Sequence, residues 1–231
     1  MAKNCRSIAF RDGNKKLGED IFSWSIARKV SCPGASKVCL AICYGDRGRI
    51  VKLDNQVFHS RNFRTCRLPS FAQDVIEALR NKRPVAFRIN DVGDFYSISY
   101  IRKWIEIVRA RRDIRFFAYT RSWVCTRLWP ALRELAAEPN MVLFLSCDHS
   151  MADQRVPQGA ADLPWAWLAV DDDDLPDRPV DLVFRNLRRT LCPLKDPNHF
   201  GVGAMVCRSE DGQTETTCRK CGFCWRWKAG H

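Results

Sequence analysis

The sequence predicts an α/β protein with a mostly parallel sheet, arranged as a partial β/α barrel of about six strands. Apolar runs alternate with segments of helical periodicity, and the runs are nearly continuous, as in strands buried on both faces. Polar side chains follow almost every run, as they do at the active-site rim of such folds. Since a full eightfold barrel takes about 250 residues, a chain of 231 residues suits a partial one.

The predicted elements alternate between strand and helix along the chain. Strands are predicted at 21–26, 84–89, 114–119, 141–145, 165–170 and 180–184. Helices are predicted at 53–65, 71–81, 97–112 and 129–137. The pattern stops near residue 190, so we expect a barrel domain at 1–189 and a small cysteine-rich, metal-binding appendage at 190–231.

Seven cysteines fall into two dense groups. The front group is Cys32, Cys39 and Cys43, and the tail group is Cys207, Cys218, Cys221 and Cys224. Thiols at this density hold iron–sulfur clusters or zinc, or form disulfides. The sequence opens with no apolar signal segment and has no apolar run of membrane-spanning length, so we expect a cytoplasmic protein without membrane contact. Its thiols then stay reduced, which favours metal over disulfides.

The tail group favours an iron–sulfur cluster, of the [4Fe-4S] type. Its C-x2-C-x2-C run is typical of ferredoxins, in which a fourth cysteine comes from elsewhere in the chain. Cys207 is the nearest candidate for that ligand, and Cys192, which precedes Pro193, is the rival. Zinc is the alternative for this site, because four thiolates also suit zinc, and a tail without metal is the third possibility.

The front group has the spacing C-x6-C-x3-C. Three thiolates bound to a four-iron cluster leave one iron open to a small ligand. The alternative is that Cys39 and Cys43, four residues apart, are buried on one face of a helix. The Pro33-Gly34 pair favours a sharp loop and therefore the ligand interpretation. The isolated cysteines are interpreted as small apolar residues: Cys5, Cys66, Cys125 and Cys147.

Several polar residues directly follow predicted strands and are candidates for a site. Asp94, Arg121, Asp148 and His149 are the catalytic candidates, although Asp and Asn at these places also serve as helix caps and His149 as a capping or core residue. Gly93 and Asp94 are the candidate cofactor-binding pair, because glycine allows close backbone approach and a carboxylate can hold an amine. The acidic run at 171–174 is interpreted as a solvated loop.

The formal net charge of +12 favours a polyanionic partner, with nucleic acid as the first candidate. Arginines are concentrated between Arg102 and Arg115. The alternative is that part of this excess neutralises clusters and their thiolates. The oligomeric state is left open.

Four segments resemble the gene product 88 family of phages and other mobile genetic elements. They are Cys32-Pro-Gly-Ala with Cys43-Tyr-Gly, the run from Arg88 to Ser97, the run from Phe117 to Ser122, and the terminal Cys218-x2-Cys221-x2-Cys224-Trp. The resemblance covers 21–225 and implies a mobile-element origin.

A more distant similarity is to radical S-adenosylmethionine (SAM) enzymes, which are partial β/α barrels with a three-cysteine loop after the first strand. It implies that the front group holds a [4Fe-4S] cluster, that Gly93 and Asp94 bind SAM, and that the tail resembles an auxiliary cluster domain. The front spacing differs from the C-x3-C-x2-C of those enzymes. Two function classes follow: an enzyme that uses SAM on a nucleic acid or another host target, or a non-catalytic iron–sulfur protein that carries electrons, senses redox state or binds a host partner.

Overall fold

A computed structural model describes residues 8–80, 82–186, 196, 198–209 and 216–228. At its centre is one open sheet in which eight strands lie side by side in the order of the chain. The strands are β1 (Arg11–Asp12), β2 (Ile21–Ser23), β3 (Ala86–Arg88), β4 (Arg115–Thr120), β5 (Met141–Cys147), β6 (Trp165–Ala169), β7 (Leu182–Arg185) and β8 (Met205–Val206). β1 is antiparallel to β2, and every later neighbour pair is parallel.

Seven α-helices are described. They are α1 (Lys37–Ala41), α2 (Leu53–Thr65), α3 (Phe71–Arg80), α4 (Ile98–Ala110), α5 (Trp129–Ala136), α6 (Cys218–Cys221) and α7 (Phe223–Arg226). Within the described part of the chain, none of them is long and apolar enough to cross a membrane.

One face of the sheet is covered by α3, α4 and α5. Each of these helices is amphipathic and buries its apolar stripe, for example Leu79, Trp104 and Leu132, against alternate residues of the strands. On β4 these residues are Phe116 and Ala118. The side chains of a strand alternate between the two faces, so the remaining apolar residues of β4 must be covered from the other side.

The cysteine-rich tail covers that other face. Phe117 packs in one cluster with Ile21 and Trp225, and Phe144 packs in another with residues of α7 such as Phe223. α7 lies against β4 and β5, while β8 adds a strand beside β7. The described tail residues therefore share the core of the sheet.

The structure confirms the α/β class and the mostly parallel sheet. The sheet has eight strands instead of the predicted six. The two additional strands, β1 and β8, have two residues each and are too short for an alternating pattern to be recognised. All six predicted strands and all four predicted helices are present; α2 has the predicted bounds, and those of the others are shifted by at most three residues. Cys5 and Cys192 lie outside the described residues.

Asn140 holds the end of α4 onto the sheet. Its side-chain amide nitrogen lies 3.0 Å from the carbonyl oxygens of Val108 and Arg111 and 3.1 Å from that of Ile114. It is buried, so its N–H groups replace water at the carbonyls of Val108 and Arg111 near the end of α4 and at that of Ile114, which precedes β4.

We expect Asn140→Asp to lower the free energy of unfolding by about 3 kcal/mol, because a buried carboxylate then faces three carbonyl oxygens and donates nothing. Burial among these oxygens raises the pKa of the new carboxyl group in the folded state. The loss is therefore largest above that pKa and shrinks as the pH falls through it. Urea unfolding at several pH values measures this, with the exposed Asn198→Asp as the control. An equal effect of both changes would contradict the role of Asn140.

Candidate metal centres and the cavity between them

The four tail cysteines line one small cavity of about 20 Å³ on the tail side of the sheet. Cys207 directly follows β8 and donates its backbone N–H to Val183 at 2.9 Å. Cys218 and Cys221 are the first and last residues of α6, which is capped by the Thr217 side chain, and Cys224 lies in α7. The sheet and two short helices thus bring together four thiols from separate places in the tail.

The electrostatic environment of the tail thiols depends on burial and on nearby cations. Burial raises the pKa of Cys224 to about 12, and it raises the pKa of Cys218 as well. The positive charges of Arg88 and Lys16 act in the opposite direction on Cys218, and a hydrogen bond with Tyr119 does so on Cys224. Without metal these thiols keep their protons, while the cations and the tyrosine favour the thiolate that a metal requires.

The front cysteines lie in the loop that follows β2. Ser36 caps α1: its hydroxyl accepts the backbone N–H of Cys39 at 2.9 Å and donates to the Asp148 carboxylate at 2.5 Å. Cys43 lies just beyond the end of α1, which has no buried residues. The alternative of a helix with two buried cysteines on one face is therefore wrong.

The three front thiols are near one another. Burial raises the pKa of Cys32 to about 12, with smaller contributions from the Asp94 and Cys39 charges. Burial also raises the pKa of Cys39, the charge of Cys43 adds to this effect, and the guanidinium of Arg121 opposes it. As in the tail, an arginine stands beside buried thiols.

Neither group is compact enough for a single ion. Among the described residues, no three His, Cys, Asp or Glu side chains are close enough together to hold one metal ion. A zinc ion needs its sulfur ligands about 2.3 Å away, so its four thiolates crowd together. In a four-iron cluster each thiolate binds a different iron, and the sulfurs lie farther apart.

Gly93 and Asp94 serve the structure at the foot of the front loop. Gly93 has φ +89°, and an added Cβ there would come 2.5 Å from Ile26 and 2.7 Å from the Ser31 hydroxyl. One oxygen of Asp94 accepts from the Thr120 hydroxyl and the Phe95 N–H, both at 2.6 Å. The other accepts the N–H groups of Arg121 and Ser122 at 2.9 and 3.2 Å.

The sequence predicts that this pair binds a cofactor, whereas the structure shows both residues in contacts within the protein. All four donors around the Asp94 carboxylate come from the protein, and it is buried. Gly93 makes its close approach to the preceding loop. The two residues join the end of β4 to the front cysteines, and no ligand is needed to explain either of them.

Arg121 and Asp148 form a buried ion pair at 2.5 Å next to the front group. Asp148 also accepts the N–H and hydroxyl of Ser150, so it caps the turn that follows β5. His149 is directed elsewhere: its Nδ1 is 3.1 Å from Asp174, and its side chain is half exposed. Of the catalytic candidates, only Arg121 borders the cavity described next.

A cavity of about 230 Å³ lies between the two cysteine groups. Cys39 and Cys43 line it on one side. Tyr119, which hydrogen-bonds Cys224, and Arg88, whose charge acts on Cys218, line it on the other. The strands β3 to β7 all contribute lining residues from their carboxyl ends, and the loop after β2 completes it. This is the place where parallel α/β folds bind ligands.

Sequence reasoning missed Arg88 and Tyr119 as lining residues, whereas Arg185 directly follows the predicted strand 180–184. Each of them stands in the last two residues of its strand, which is a usable signal. The residues that follow a strand are the usual place for a site at this rim, but the side chain of one of the last two residues of a strand also reaches it.

The arginines of the basic helix are largely engaged within the protein. Arg109 contacts Glu134 at 3.0 Å and Glu138 at 2.7 Å, and Arg112 contacts Glu138 at 2.9 Å. Arg111 pairs with Asp113 at 2.6 Å. The pair of Arg109 with Glu134 joins α4 to α5, and Glu138 just beyond α5 binds both Arg109 and Arg112. This face therefore gives no support to the predicted contact with nucleic acid.

The fold and the two thiol groups define a cysteine-rich α/β protein with a cavity between two candidate metal centres. The chain belongs to the Gene product 88 family, whose profile matches residues 6–227. It is similar to the "Gene 88 protein" of Mycobacterium phage L5, with 30% identity over 102 residues that cover 39% of this chain and 43% of the relative. The "Gene 88 protein" of Mycobacterium phage D29 shares 29% over 102 residues, 39% of this chain and 42% of the relative. The alignment thus spans less than half of each relative, and no solved structure matches this chain.

We expect Gly34→Ala to displace the front loop, because an added Cβ would overlap the carbonyl oxygen of Arg121. Overpacking of this kind costs about 2 kcal/mol. Urea unfolding measures the loss, and mass spectrometry of alkylated thiols should show faster labelling of Cys32 and Cys39. The control is Gly48→Ala, where an added Cβ meets no atom within 4 Å and only the positive φ costs about 1 kcal/mol. Unchanged labelling in Gly34→Ala would show that the loop does not rest on Arg121.

We expect Asp94→Asn to lower the free energy of unfolding by about 2 kcal/mol, because the new amide group turns an N–H toward donors that have lost their acceptor. The effect should be the same with and without SAM. Asp113→Asn, in a pair with an exposed carboxylate, is the control and should cost less than about 1 kcal/mol. A variant of normal stability that fails to bind SAM would restore the ligand role of Asp94.

Proposed function

We propose that this phage-family protein is an iron–sulfur protein with two [4Fe-4S] sites. Cys32, Cys39 and Cys43 hold the first cluster in a partial β/α barrel, and Cys207, Cys218, Cys221 and Cys224 hold the second in a metal-binding tail. The proposal rests on one observation: seven cysteines from distant parts of the sequence lie in two groups, of which the tail group lines one small cavity and the front group contributes Cys39 and Cys43 to a larger one.

Four thiols around one small cavity match the four ligands of a cubane cluster. Cys207 lines this cavity, which favours it as the fourth ligand beside the C-x2-C-x2-C run. A cluster with four cysteine ligands suits electron transfer or structure. The Tyr119 hydroxyl is placed to hydrogen-bond a ligand sulfur, an interaction that tunes cluster potential.

The front group has three cysteines, and two of them line the cavity. A metal site with an open coordination position can bind a ligand, whereas a closed one cannot. Since the front thiols border a cavity formed by the carboxyl ends of five strands, we propose that this cluster takes part in ligand binding. The sequential order of the parallel strands supports the partial-barrel architecture.

The resemblance to radical SAM enzymes makes SAM the first ligand to test at this cluster. The alternative is a non-catalytic redox protein, and the full engagement of Asp94 within the protein favours it. The discriminating experiment incubates reduced protein with SAM and measures 5′-deoxyadenosine and methionine. Cleavage that is lost in Cys39→Ser supports the enzyme, and stable SAM with both clusters present supports the redox protein.

We expect protein purified without oxygen to be brown and to contain about eight irons and eight sulfides per chain. Cys221→Ser should lower both to about four and destabilise the tail, because metal binding and local folding are linked. Cys125→Ser is the matched control, since Cys125 is a half-buried cysteine outside both groups and should leave the iron content unchanged. Colourless protein with stoichiometric zinc would overturn the proposal.

A further inference from the structure

We propose that the cavity between the two cysteine groups binds a small organic anion, in which a phosphate or carboxylate group is joined to an apolar or aromatic body. The inference names the class of ligand that this cavity binds. It rests on the proposed function only for any reaction of the bound ligand at the front cluster. The binding itself follows from the residues that line the cavity.

The lining of the cavity is strongly cationic. Five of its side chains are lysine or arginine, namely Lys16, Arg47, Arg88, Arg121 and Arg185, and one is a carboxylate, Asp91. Three of the arginines stand at the ends of strands, Arg88 on β3, Arg185 on β7 and Arg121 just beyond β4. Because the sheet is parallel, these strand ends meet at one edge, and all three arginines line the cavity there.

Each of these three arginines is held in place by one carboxylate. Arg88 pairs with Asp91 at 2.9 Å, and Arg121 and Arg185 pair with Asp148 and Asp172, which do not line the cavity. A guanidinium has five N–H donors and a carboxylate satisfies two of them. The buried Nε of Arg88 has no hydrogen-bond partner among the described residues. The ion pair joins Nη1 of Arg88 to one oxygen of Asp91, so it positions Arg88 without occupying all of its donors.

The rest of the wall is apolar and aromatic. Tyr119 and Phe184 meet edge to face with ring centroids 5.2 Å apart, and Leu168 and Ile42 lie beside them. Such a wall holds a planar or apolar group by burial. Hydrated inorganic anions gain nothing from it, so the lining indicates an organic molecule with a charged end.

The size of the cavity suits a small molecule. Its volume of about 230 Å³ lies just below the range of ligand pockets, which begins at about 300 Å³. A single nucleotide-sized or aromatic acid molecule fits this scale, and a nucleic-acid strand does not. The cationic lining thus indicates a small ligand and not the polyanion suggested by the overall charge.

The test measures calorimetric binding of two anions and their neutral counterparts to protein purified without oxygen. The probes are adenosine monophosphate with adenosine, and benzoate with benzyl alcohol. We expect at least one anion to bind at least about tenfold more tightly than its neutral partner, because charge-assisted hydrogen bonds add that much. A preference for adenosine monophosphate alone indicates a phosphate ligand, and a preference for benzoate alone indicates a carboxylate.

Two variants assign the binding to this cavity. Arg88→Gln should lower the affinity for the preferred anion by about tenfold, and Arg88→Lys should lower it less. Lys16→Gln is a second variant on a loop, which keeps the test valid if Arg88→Gln does not fold. Arg178→Gln is the control, since Arg178 pairs with Asp177 at 2.8 Å and does not line the cavity.

The inference is overturned if neither anion is preferred at concentrations up to about 1 mM, or if the Arg178 control weakens binding as much as Arg88→Gln and Lys16→Gln do. Iron and sulfide are measured on the same samples. Iron–sulfur protein without anion preference would overturn this inference and leave the proposed function standing. Protein that contains zinc and binds the anion through Arg88 would overturn the proposed function and leave this inference standing.

Discussion

Both faces of a parallel sheet must be shielded from water, and in this protein the two faces are shielded by different kinds of structure. Helices α3, α4 and α5 cover one face with ordinary amphipathic stripes. The cysteine tail covers the other, with Trp225 against Phe117 and Phe223 against Phe144. The same packing that completes the core places the tail thiols beside Tyr119 and Arg88. The position of the tail thiols and the burial of the sheet are therefore physically connected.

The front loop is joined to the rest of the rim by a short network of buried polar groups. Ser36 connects the N–H of Cys39 to Asp148, and Asp148 holds Arg121. The backbone of Arg121 in turn donates to Asp94 and leaves room only for glycine at position 34. Buried charged groups are costly unless they are paired, so this network is stable only with all its partners in place. It sets the position of the front thiols relative to the sheet.

The cavity follows from these two arrangements. The front loop forms one wall, the tail side of the sheet forms the other, and the strand ends supply arginines between them. Arg88 and Arg121 each act both on a thiol group and on the cavity, because each borders both. A change of charge in either cysteine group therefore acts on an arginine that lines the cavity. This coupling is electrostatic and requires no movement of the fold.

The sequence by itself determined the class of fold, the boundaries of the amphipathic helices and the two cysteine groups. Helix α4 lies within two residues of the predicted range 97–112, because its strongly periodic apolar stripe is a local pattern. Only the tertiary structure decided that the tail packs on the sheet, that Asp94 is engaged within the protein, and that Arg88, Tyr119 and Arg185 share one cavity. These facts depend on which residues from distant segments meet, and a local pattern does not show this. A strand of only two residues, such as β8, is too short to have a recognisable pattern. A carboxylate after a strand also looks the same in sequence whether it binds a ligand or four donors of its own chain.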